Sequence, residues 1–202
     1  MKYLHWAGLM VCAVLLVPAT CPRAHADQWN QLTYFTFSAP VEIPGFHGPM
    51  VIPAGTYTFK LLDSLSDRDI VQIFNKDQTH LYATVIAIPD YRMKPTGKTV
   101  LTFEERVTGS PEAIRAWFYP GNNFGDQFVY PKTRAVELAK ANNEPVLSMP
   151  DDMASNITKP IKTSKESAAT ALEKALIKAE RANGQEVAAS QVVTPKSEQG
   201  GH

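Results

Sequence analysis

Cysteine is scarce in this 202-residue chain: there are two, Cys12 and Cys21. Both lie in the first 26 residues, so a chain cut after Ala26 has neither disulfide nor thiol chemistry. No block of lysine or arginine stands out. Without Lys2 and Arg23 there remain 18 basic residues against 20 acidic, a net charge of −2. Nucleic-acid binding neutralises phosphates with clustered positive charge, and that footprint is missing. Aromatic residues are absent from Asp151 to His202, and no second long apolar run follows the first. The remainder of the chain therefore predicts no transmembrane segment.

What is present begins with that first run. Lys2 gives a positive start, and Leu9 to Val17 is uninterrupted apolar sequence. Pro18 breaks it, and Ala24-His25-Ala26 is the small-x-small pattern of a signal-peptidase site. The run falls short of the roughly 20 apolar residues a spanning helix needs. The expectation is a signal peptide over 1–26, a mature chain from Asp27, and a periplasmic or extracellular destination. The alternative of a lipid-modified Cys21 is disfavoured by Pro18 and Thr20, where lipoprotein signals want an aliphatic and a small residue.

Composition divides the rest near Pro150. Seventeen aromatics fall between Asp27 and Pro150, and none after it. Each can bury roughly 150–250 Å², so the folded domain is expected over 27–150. Residues 151–202 are rich in Ala, Lys, Glu, Ser and Thr, with seven basic and seven acidic side chains. That composition predicts a disordered tail. Within it, a helix is possible at 164–182: Thr163 and Glu166 form a capping-box pair, Ala168–Ala182 favours helix, and Asn183-Gly184 can stop it.

Inside the domain the dominant period is two. Tyr57, Phe59 and Leu61 alternate with Thr56, Thr58 and Lys60, and Leu101 and Phe103 alternate with Thr102 and Glu104. The apolar members, together with Val85 and Phe118, are expected in the core. Leu81 to Ile88 is apolar on both phases and predicts a central strand covered on two sides. Further strands are expected at Leu32–Phe37, Ile70–Phe74, Ile114–Tyr119 and Gln127–Tyr130. Short polar turns such as Asn75-Lys76-Asp77-Gln78 join them, and Thr133–Ala141 predicts one late helix. The fold class is mainly β: a single antiparallel β-sandwich or barrel-like domain with one short C-terminal helix, then a low-complexity tail.

Chemistry-bearing motifs are few. His47 and His80 are isolated and have no cysteine to join, so no metal site is expected. Asp63, Asp67 and Asp69 cluster around Arg68 without the EF-hand glycine and spacing, and read as a solvated loop. There is no Gly-x-Ser-x-Gly elbow, and Gly109-Ser110-Pro111 reads as a turn. Glu104 and Glu105 are adjacent on a strand and point to opposite faces, so they form no acid–base pair on one substrate. No catalytic residue and no cofactor are expected.

The segment that suggests binding is Trp117-Phe118-Tyr119-Pro120-Gly121-Asn122-Asn123-Phe124-Gly125-Asp126. Exposed ring faces beside short polar side chains suit carbohydrate recognition. The expected ligand-binding residues are Trp117, Tyr119, Asn122, Asn123, Phe124 and Asp126, with Phe118 in the core. The competing reading of these residues is core packing and ordinary turn chemistry.

The elements Val41-Glu42-Ile43-Pro44-Gly45, Ile52-Pro53-Ala54-Gly55-Thr56-Tyr57-Thr58-Phe59, Phe74-Asn75-Lys76-Asp77-Gln78-Thr79-His80 and Ala116-Trp117-Phe118-Tyr119-Pro120-Gly121 together resemble an uncharacterised group of small exported bacterial β-rich proteins. The resemblance covers 27–150 and not the tail. It implies export and a β-rich fold, and it brings no established activity. The expected function is an exported, non-enzymatic binding or structural module of the bacterial cell envelope, with carbohydrate or another envelope component as partner. The alternatives are a hydrolase acting on envelope or extracellular polysaccharide, and a self-associating envelope scaffold.

Overall fold

The computed structural model describes residues 32–45, 49–62, 69–92, 94–106, 109–154 and 176–193. Residues 1–26, where a signal peptide is expected, His47, Asp63, Asp67 and positions 164–175 of the tail lie outside these. Period-two patterning becomes a nine-stranded sheet: β1 (Leu32–Phe37), β2 (Val41–Ile43), β3 (Met50–Ile52), β4 (Gly55–Leu62), β5 (Asp69–Asn75), β6 (Leu81–Tyr91), β7 (Val100–Glu104), β8 (Glu112–Phe118) and β9 (Phe124–Phe128). A second, four-stranded sheet holds β10 (Tyr130–Pro131), β11 (Val146–Met149), β12 (Lys178–Glu180) and β13 (Glu186–Ala188).

The large sheet runs β1-β4-β5-β6-β9-β8, with neighbours antiparallel. β8 is the branch point. β7 and β9 both pair with Ala116–Phe118, so they occupy opposite edges of β8. The β2–β3 hairpin joins where β2 lies parallel to Glu112–Ala113. Glu42 and Glu104 both pair with Ala113, which puts β2 on the β9 side and leaves β7 alone on the other. The sheets are therefore not purely antiparallel, since β10 and β11 are also parallel.

The sheet curls over one face. Phe59 is fully buried there, with Phe35, Trp117 and Phe128 edge-on at centroid distances of 4.9, 6.1 and 6.3 Å. Side chains from β1, β2, β3, β4, β5, β6, β8 and β9 share this core. The other face carries the small sheet: Ile70 and Ile86 pack with Val129, Leu147, Met149 and Ala179. Central strand β6 serves both layers, with Ala83, Val85 and Ala87 inward and Ile86 outward. The result is mainly β, and it is not a closed barrel.

Helix α1 (Lys132–Asn142) starts after Pro131, whose fixed φ suits a helix entry. It ends at Asn143, which adopts a left-handed conformation (φ 58°). Its Ala135, Leu138 and Ala139 pack on Ala113, Tyr130 and Val146. A short helix α2 (Asp151–Ala154) follows β11, and Asp151 accepts hydrogen bonds from the Thr133 amide and hydroxyl.

Two expectations are corrected here. Lys178–Glu180 and Glu186–Ala188 are strands, so the helix expected over 164–182 does not reach its proposed end, and folded structure extends past Pro150. Composition misses this because the hairpin borrows its core: Ile177, Ala179, Val187 and Val193 complete the layer over Ile70 and Ile86. Glu186 also pairs with Lys132 and Lys178, which hold its carboxyl down at about 2. In addition, Leu101 and Phe103 are half-buried rather than buried, because β7 has a neighbour on one edge alone among the described residues. Tyr57, Phe59, Leu61, Val85 and Phe118 are buried.

Candidate functional site

The residues expected to bind carbohydrate are brought together, but mostly inside the protein. Trp117 and Tyr119 point into the curled core at 0% and 1% exposure, so neither ring offers a face to a sugar. Asp126 is buried as well, opposite Trp117 in the β8–β9 ladder. Phe124 is half-buried, edge-on to Tyr119 at 5.3 Å, and Asn122 and Asn123 are half-buried in the turn. An exposed aromatic platform therefore does not form at this loop. The alternation that puts Trp117 and Tyr119 together aims them inward, because that face of β8 is the concave one.

This loop instead forms a buried acid cluster. The Tyr119 hydroxyl donates to Asp126, and Asp126 shares a hydrogen bond with Asp69 at the start of β5. Burial and the neighbouring Asp69 charge raise Asp126 well above the usual carboxylate range, and burial raises Asp69 too. Two carboxyls this close share a proton rather than ionise together. Arg92 fixes the turn outside: its guanidinium donates to the carbonyls of Tyr119 and Asn122 at 3.1 Å each. It also lies 5.0 Å from the centre of the Phe118 ring.

A second polar network lies under α1. Glu42, 1% exposed, takes Arg106 at 2.7 Å and Arg134 at 2.6 Å. Nearby Tyr130 donates to the Ile114 carbonyl at 2.7 Å, and burial raises its hydroxyl well above its ordinary range. Glu104 accepts from Asn142 at 2.5 Å, with Arg115 at 3.8 Å. Burial pushes the Glu104 carboxyl up to about 7, against the pull of Arg115. Arg134 and Asn142 fasten α1 to the sheet through these carboxylates, and removing the arginine partners of Glu42 would leave a costly buried charge.

An open cleft lies elsewhere, where the C-terminal ends of β1 and β7 come near each other. A cleft of about 660 Å³ is lined by Thr36 and Phe37 of β1, the Ser38–Val41 connection, Phe103 of β7, and Gly109–Glu112. Its size is in the range of ligand sites, and it combines ring and proline surface with hydroxyls and the exposed Glu112 carboxylate. A neighbouring cavity of about 410 Å³ shares Phe103, Gly109, Ser110 and Glu112, and adds Glu104, Glu105 and Arg106. Sequence reading missed this site because its walls come from separate strands joined by topology. The local signal available was Gly109-Ser110-Pro111, read as a turn, beside the glutamates of β7.

Among the described residues no group of three or more His, Cys, Asp or Glu is placed to hold a metal, and no helix is long and apolar enough to cross a membrane. His80 stands at the β5–β6 turn with its ring 4.6 Å from that of Tyr82, and its amide donates to Asn75. The chain matches no protein-family model, no curated protein and no solved structure. The resemblance to small exported bacterial proteins thus rests on the quoted sequence elements alone.

Proposed function

We propose that this protein is an exported, non-enzymatic binding module of the bacterial cell envelope, and that it binds at the cleft between β1 and β7. The observation that carries the reading is the cleft itself: about 660 Å³, framed by Phe37 and Phe103 and rimmed by Ser38, Ser110 and Glu112. Rigid strands position both rings, which keeps the ordering cost of binding low. The buried carboxyls support the same reading. Glu42 is bound by two arginines, and Asp126 is bound by Tyr119 and Asp69, so each holds the fold together.

A second reading, a polysaccharide hydrolase, is favoured by one group. Glu104 lines the neighbouring cavity, and a carboxyl near 7 suits a general acid. Its engagement by Asn142 weighs towards a structural role. Titrating envelope polysaccharides and extended peptides against wild type and Phe103→Ala separates the readings. The binding module predicts saturable binding, weakened about tenfold by Phe103→Ala, with no new reducing ends. Reducing ends released by wild type and abolished by Glu104→Gln would establish the hydrolase.

A further inference from the structure

We infer that the ligand of this cleft is an extended peptide strand from another protein, which inserts between β1 and β7 and completes the sheet. The inference rests on reading the cleft as the binding site, and it names the ligand class.

Direction carries the argument. The path β1-β4-β5-β6-β9-β8-β7 contains seven strands, and each neighbouring pair is antiparallel. An odd number makes the two end strands run the same way. Their C-terminal ends meet at the cleft, where Phe37 and Phe103 share one wall-to-wall space. β1 and β7 are not paired with each other among the described residues. One further strand, running opposite to both, would pair with each and close an antiparallel barrel of eight, a size whose interior side chains just fill.

Burial agrees with a missing strand. Phe35 of β1 and Leu101 and Phe103 of β7 are inward and half-buried, while half-burial on the inner strands β6 and β9 is found at Tyr82 and Phe124, near strand ends. Incomplete burial at the two facing edges is what one absent row of inward side chains would leave. Edge protection is also lacking on β1. Its six residues, Leu-Thr-Tyr-Phe-Thr-Phe, pair with β4 from Leu32↔Lys60 to Phe37↔Gly55 without a bulge, a charge or a proline. Free edges of this kind are templates for strand addition.

The same geometry selects the occupant. A strand satisfying both edges must have both of its own edges free. The β1 of a second copy is already paired with its own β4, so it could cover one edge but not enter between two. Segments of this chain fit poorly: residues 1–26 leave the chain on the export reading, 27–31 run directly into β1, 194–202 contain no large apolar side chain, and 155–175 carry Pro160 between Ile157 and Ile161. The chemistry left is an extended segment of another exported protein, with apolar side chains at alternate positions to meet Phe35, Leu101 and Phe103.

The test uses the full chain and a synthetic probe, the peptide Lys-Thr-Val-Thr-Val-Thr-Val-Lys, with hydrogen exchange as readout. The expected result is one peptide per chain, with exchange slowed at least tenfold at amides in both 32–37 and 100–104. A peptide with prolines at its second and third threonines should give no slowing, since it lacks N–H groups that a ladder needs. Phe103→Ala should weaken binding at least fivefold, and Lys140→Ala, exposed on α1, should leave it unchanged. If Phe103→Ala does not fold, the proline peptide carries the comparison. Unchanged exchange with saturable polysaccharide binding at the cleft would overturn the strand inference and leave the binding module standing. No ligand of either kind at the cleft would overturn both. Slowing of 32–37 alone with dimer formation, or slow exchange at both edges before peptide is added, would also overturn it, in favour of a second copy or of this chain's own segment.

Discussion

Phe35 of β1 meets Trp117 of β8 edge to face, with ring centroids 6.0 Å apart and planes at 83°. These strands stand near opposite ends of the sheet path, so the contact is a direct measure of how far the sheet curls. Phe59 completes the cluster, 4.9 Å from Phe35 and 6.1 Å from Trp117. Phe59→Ala should lower stability by about 3–5 kcal/mol in chemical denaturation, the cost of a large cavity in a packed core. A loss under about 1 kcal/mol would mean that the cluster does not hold the curl.

Gly125 sits opposite Phe118 where β8 and β9 approach closely. A Cβ there would lie 2.3 Å from the Trp117 carbonyl oxygen and 2.9 Å from the Phe118 Cα. Backbone cannot move aside as a side-chain tip can, so Gly125→Ala should destabilise by about 2 kcal/mol or more. A thermal midpoint equal to wild type would contradict the close approach.

Glu104 makes stability depend on pH. Its folded value of about 7 lies above its ordinary 4.5. Between those values the folded protein keeps a proton that the unfolded chain has released, so stability falls as pH rises from about 4.5 to 7. The full shift corresponds to roughly 3 kcal/mol at about 1.36 kcal/mol per unit. The Asp69–Asp126 pair, also raised, slopes the same way, so the diagnostic is the comparison with Glu104→Gln. That variant keeps an acceptor for Asn142 and should gain on wild type as pH rises. Parallel curves for the two proteins would show that Glu104 is already ionised at pH 5.

The C-terminal hairpin should matter to stability. Truncation after Met153 removes Ile177, Ala179 and Val187 from the layer over Ile70 and Ile86. The thermal midpoint should fall by many degrees, at roughly 25 cal/mol for each Å² of apolar surface uncovered. An unchanged midpoint would mean that the hairpin contributes nothing to the outer layer.

Strands with clean alternation were legible in the sequence. Leu32–Phe37 is the strand found, and the two-faced apolar run from Leu81 is the central strand that serves both cores. The three-residue strands β2, β3, β12 and β13 were not, since so few residues carry no period and owe their form to neighbours. Glu104 shows the limit most plainly. Alternation with Phe103 puts it on the opposite face, but only the arrival of α1, with Asn142 at its end, makes that face a buried one. The Trp117–Asp126 loop was legible as an aromatic and acidic grouping. Which way its rings point depends on the curl of the whole sheet.

The most direct test of the account is an amide chemical-shift footprint, recorded on the full chain with the alternating peptide and with envelope polysaccharides. Binding between β1 and β7 predicts that shifts cluster at Thr36–Val41, Phe103 and Gly109–Glu112, the residues that line the cleft. A footprint centred on Asn122, Asn123 and Phe124 instead, or none with any of these ligands, would contradict it.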